Sequence, residues 1–130
     1  MKTFVTFLMF TASHPATAEG RMDAATFDAY VTGRTVTWGV GAGFVHGIER
    51  YMDGRRVMWS SETGICQYGV WFESKGDICF RYDGDPARKC WAISHTPDGL
   101  RAIYTSQPSV TEIHEMTDRD DTLICRDLSS

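Results

Sequence analysis

Residues 77–95 read DICFRYDGDPARKCWAISH, and the alternation within them decides the fold. Ile78, Phe80 and Tyr82 alternate with Cys79 and Arg81, while Trp91 and Ile93 alternate with Cys90, Ala92 and Ser94. A period of two marks a β-strand, because successive side chains leave opposite faces of the backbone. Bending the chain at the turn from Asp83 to Arg88 sets Ile78 and Phe80 on the same face as Trp91 and Ile93. Cys79 and Cys90 then meet on the other face, where directly paired Cβ atoms lie about 4.5–5.5 Å apart, near the reach of a disulfide. Cys66, Cys79, Cys90 and Cys125 admit three pairings. The hairpin favours Cys79–Cys90, leaving Cys66–Cys125 to tether the C-terminal segment.

The same punctuation continues on both sides. Asp53-Gly54, Asp83-Gly84 and Asp98-Gly99 each separate β-rich runs, and aspartate–glycine is a strong turn signal because both residues accept positive φ. Strands are expected near 34–39, 44–52, 55–60, 66–73, 77–82, 89–95, 100–105 and 110–116. One helix is expected over 22–33, capped by Asp23, ended by Gly33, and presenting Phe27, Tyr30 and Val31 on one face. The expected fold is therefore mainly β. A short N-terminal helix precedes an antiparallel meander of about eight short strands, forming a small barrel or half-barrel held by two disulfides. Trp38, Trp59, Trp71 and Trp91 fall in four different strands, as core or barrel lining.

The N-terminus has a different character. Lys2 is followed by the uncharged stretch Thr3 to Ala12, then Ala16-Thr17-Ala18, the pattern of a cleaved export signal. The apolar stretch is about half of what a membrane-spanning helix needs. The expectation is a signal peptide over 1–18, a single disulfide-stapled β domain over 19–130, and a periplasmic or secreted location. Four cysteines without a C-x-x-C pair fit disulfides in an oxidising compartment better than a zinc site.

With 13 Lys and Arg against 17 Asp and Glu the chain is acidic, and its basic residues form no stripe of the kind that binds nucleic acid. The sequence offers no catalytic, cofactor-binding or metal-binding set. There is no G-x-S-x-G, and Gly39-Val40-Gly41-Ala42-Gly43 lacks the lysine of a phosphate loop and reads as a turn. His46, His95 and His114 are widely spaced and read as surface or interface residues. His46 and Glu49, three apart, would share a helix face but not a strand face. His114 and Glu115 point to opposite faces of a strand. The acidic stretch Glu112 to Asp121 lacks the oxygen spacing of a calcium loop and reads as a solvated end.

Several runs resemble a group of small exported proteins of alphaproteobacteria whose function is unknown. They are Phe27 to Thr35, Gly47 to Tyr51, Gly54 to Trp59, Cys66 with Gly69-Val70-Trp71, Ile78-Cys79-Phe80, and Cys90-Trp91. The resemblance implies export, disulfides and a β architecture, and it carries no catalytic or binding residue.

The resulting expectation for function is a non-enzymatic exported binding or accessory module of the cell envelope. It would hold a small apolar ligand or dock on an envelope protein, with no nucleic acid and no membrane span after signal cleavage. The alternative is an inhibitor of an exported hydrolase of the lysozyme or peptidase type, acting through the loop from Tyr82 to Lys89. A small hydrolase or isomerase would require a deep pocket with converging carboxylates and a histidine.

Overall fold

The computed structural model describes residues 20–61, 63–107 and 111–126. The signal peptide expected over 1–18 lies outside them. A helix, α1 (Ala24–Val31), is followed by eight strands: β1 (Thr35–Val40), β2 (Phe44–Met52), β3 (Arg56–Ser61), β4 (Cys66–Ser74), β5 (Asp77–Tyr82), β6 (Lys89–Thr96), β7 (Gly99–Tyr104) and β8 (Glu112–Glu115). Each strand pairs antiparallel with the next, and β8 returns to β1 through Trp38–Glu115 and Gly39–His114. The barrel is closed. Of the two architectures the sequence allowed, closure is the one that leaves no unpaired edge.

The decisive hairpin forms as its alternation dictates. Ile78 faces Trp91, Cys79 faces Cys90 and Phe80 faces Lys89. Disulfides join Cys79 to Cys90 and Cys66 to Cys125. Gly54, Gly84 and Gly99 take φ of 72°, 80° and 114°, the left-handed backbone that aspartate–glycine turns require.

The antiparallel meander sends the β1–β2, β3–β4, β5–β6 and β7–β8 connections to one end of the barrel. The helix closes the other. Asp23 caps it by accepting the Thr26 amide at 2.8 Å. Phe27 and Val31 are fully buried. The Phe27 ring meets Tyr51 and Trp71 edge-on, with centroids 5.6 and 5.0 Å away. Around this plug the chain is laced to the barrel: the Met22 amide donates to Ile93, the Gly33 amide to Tyr51, and the Ala24 amide to the Glu73 carboxylate. Glu115 is buried and accepts from the Tyr30 hydroxyl at 2.6 Å, Arg34 at 3.1 Å and the Leu100 amide at 3.0 Å. That carboxylate therefore ties the helix to β7 and β8. An eight-residue helix is too short to persist alone in water, so its docking holds it.

The acidic C-terminal stretch departs from the solvated end that its composition implied. The Met116 amide donates to Thr37, the Thr37 hydroxyl to Asp121 at 2.6 Å, and the Ser60 hydroxyl to the Ile124 carbonyl. Residues 116–126 thus strap the outside of β1 and β3 and end at the Cys66–Cys125 bridge. Composition alone could not show this, because the strap binds through scattered polar groups rather than an apolar face.

Candidate functional site: the barrel cavity

An eight-stranded barrel has an interior just wide enough to be filled by side chains or to hold one small ligand. Here the half against α1 is filled. The other half keeps a cavity of about 290 Å³, at the small end of ordinary ligand sites. Three of the four tryptophans line it, Trp38, Trp59 and Trp91. Trp71 instead packs below, under Phe27. No α1 residue reaches the cavity.

Two interior glycines make room for its walls. Gly47 stands beneath the Trp59 indole, where an added Cβ would fall 2.3 Å from the ring. Gly69 faces Tyr82, and a Cβ there would fall 2.4 Å from the Arg81 carbonyl oxygen. Small residues opposite large rings let the layers interdigitate without strain.

The polar groups of the cavity come chiefly from β2. Gly47, Glu49 and Tyr51 occupy alternate, inward positions, with Glu49 directly opposite Trp59 and Tyr51 opposite Val57. Glu49 is only 1% exposed. Among the described residues its two oxygens accept from a single donor, the Tyr82 hydroxyl, at 3.0 and 3.2 Å. The Tyr51 hydroxyl lies nearby and accepts from Trp38 Nε1 at 3.3 Å. Burial pushes the Glu49 carboxyl well above its ordinary range, and the Tyr82 bond only partly opposes this. Burial likewise raises the Tyr51 and Tyr82 hydroxyls.

His46 corrects the surface reading. Trp38 pairs with Gly47 but the next pair is Gly39 with Val45, so His46 is an extra residue in β2. A β-bulge of this kind re-aims side chains. It places His46 in the cavity wall beside Trp59, ring centroids 5.4 Å apart, on the same lining as Glu49. Three residues apart, the two share a face because the bulge shifts the alternation by one. Burial lowers the His46 imidazole below its ordinary value, favouring the neutral ring. His95 packs on Tyr30 outside the cavity, and His114 stands on the outer side of β8 against Gly39 while Glu115 points inward.

Lys89 is the cationic member of the lining, and its ammonium is drawn to Asp85 at 2.7 Å. Among the described residues no ion pair involves Glu49, and no group of three or more His, Cys, Asp or Glu is placed to hold a metal ion. Among the described residues one carboxyl, Glu49, lines the cavity.

The elevated Glu49 has a thermodynamic signature. A carboxyl whose folded value is raised contributes its stability fully below the ordinary value of 4.5 and loses it as pH rises toward the folded value, because the native state holds the proton longer than the unfolded one. Melting temperatures should therefore decline from about pH 5 upward. Glu49→Gln, which keeps the shape and removes the titration, should flatten that decline. An unchanged slope in the variant would show that Glu49 titrates normally.

Sequence reading missed this site because a charged residue between Ile48 and Arg50 looks outward-facing. The available signal was Tyr51 and Gly47 two residues to either side, since all three must share a face. No protein-family model, curated protein or solved structure matches the chain.

Proposed function

We propose that the protein is a non-enzymatic carrier or binding module that holds a small, largely apolar ligand inside its barrel. The observation that carries this reading is the lopsided filling of the interior. Aromatic rings and α1 seal one half, while the other keeps open space walled by Trp38, Trp59 and Trp91. Ligand sites are typically apolar concavities with a few placed polar groups, and Glu49, His46 and Tyr82 supply them. The two disulfides are compatible with an oxidising compartment, which supports a periplasmic or secreted location. Arg50, Arg81 and Arg101 are exposed on the outer face, which also carries the exposed Tyr68 and Val70, so charge interrupts the continuous apolar band that a membrane barrel presents.

The test is a ligand panel of indole, naphthalene and short fatty acids, read by melting temperature and tryptophan fluorescence. A ligand that binds only the native state at 100 times its Kd raises stability by about 2.7 kcal/mol. Quenching of the wall tryptophans should accompany it. A panel without thermal or fluorescence response would overturn the carrier reading.

The inhibitor reading has its own support in the loop between β5 and β6. Its base is stapled by Cys79–Cys90, and Asp85 accepts from the Ala87 amide at 3.0 Å and from Lys89. A rigid loop loses little entropy on binding. Inhibition of an exported lysozyme or peptidase, abolished by replacing residues 83–88, would favour it over the carrier.

A further inference from the structure

Resting on the carrier reading, we propose that the cavity ligand is a small organic cation, an amine with an aromatic body whose ammonium group seats on Glu49. The carboxyl is almost fully buried in the lining, at 1% exposure, and among the described residues it has one hydroxyl donor, Tyr82, for its two oxygens. A carboxylate offers about four acceptor sites, so most of its capacity is unmet. Buried carboxylates are ordinarily paired, and this one has no cation partner among the described residues.

The surroundings suit the other half of such a ligand. Trp59 stands directly opposite Glu49, and Trp38, Trp91 and Tyr51 line the same space. Indole faces attract cations, more strongly when water is excluded. The groups facing the site from each neighbouring strand fit an arriving positive charge. Tyr82 on β5 and Tyr51 on β2 keep their protons, His46 on β2 is held toward its neutral form, and Lys89 on β6 is neutralised by Asp85.

Binding has a defined proton balance. In the empty cavity, burial favours the protonated carboxyl. When the ammonium ion arrives, Glu49 releases one proton to solvent and the ion pair remains. Amine affinity should therefore rise with pH until the free amine itself loses its proton. An uncharged ligand should show no such dependence.

The experiment compares tryptamine, tryptophol and indole-3-acetate, which share one ring and differ in end group, by calorimetry on the full oxidised chain and on Glu49→Gln. The expected result is that tryptamine binds tightest and weakens roughly 10- to 100-fold in the variant, the range for losing a charged hydrogen bond. Tryptophol should bind both proteins alike, which also shows that the variant is folded. Tryptamine affinity should climb between pH 5 and 8 in the native protein alone. If tryptophol or indole-3-acetate binds as tightly as tryptamine, or tryptamine is indifferent to the substitution, the cation is wrong and the carrier stands. If none of the three binds, the inference falls, and the apolar panel decides the carrier reading by itself.

Discussion

Phe27→Ala should be the most damaging single truncation in the molecule, lowering stability by about 3–5 kcal/mol. The ring is fully buried and is gripped edge-on by Tyr51 and Trp71, so its removal leaves a void between the helix and the barrel floor. The helix cannot compensate by sliding inward. Glu115 holds Tyr30, and the Gly33 and Ala24 amides fix its two ends. Against a total of about 5–15 kcal/mol the loss is large, and the melting temperature should fall by roughly 10 °C or more. Thermal melts followed by circular dichroism would measure it, with Ala29→Ser on the exposed side of α1 as a near-silent control. A Phe27→Ala loss below about 1 kcal/mol would mean that the helix does not plug the barrel.

Removing the Cys66–Cys125 bridge should rank second. Its two residues are 59 apart in sequence, and on the chain-entropy model closing such a loop contributes about 4 kcal/mol. The Cys79–Cys90 bridge, 11 apart, contributes about 3 kcal/mol on the same model. The larger effect has a local reason too. Without the long bridge the strap over β1 and β3 is anchored only by contacts such as Thr37–Asp121 and Ser60–Ile124. Alanine is the better replacement throughout, because Cys79 is fully buried and a serine hydroxyl there would add an unmet polar group. Urea unfolding of the two double variants should order them with the long bridge more costly. The opposite order would show that the strap adds nothing to the barrel.

The hairpin over residues 77–95 was readable because local alternation, turn chemistry and cysteine placement all agree there. The helix was readable for the same reason, with Asp23, the Phe27 face and Gly33 each marking part of it. Closure of the sheet was not, since β8 meets β1 through only two residue pairs separated by most of the chain. The cavity was partly visible in its tryptophans, yet their division into three wall residues and one floor residue depends on how deeply α1 enters. Glu49 and His46 escaped because each breaks a sequence rule. One is a carboxylate facing inward, and the other is a residue that the alternation does not count.

The bulge in β2 makes position 46 separable from the rest of the sheet. Gly47 to Arg50 and Phe44 to Val45 are each in register with β1 on their own side of it. Deleting His46 would therefore straighten the strand while the pairs on either side kept their β1 partners, and would take an imidazole from the cavity wall. The bulge thus makes the imidazole of the cavity wall removable without shifting the β1–β2 register on either side of it.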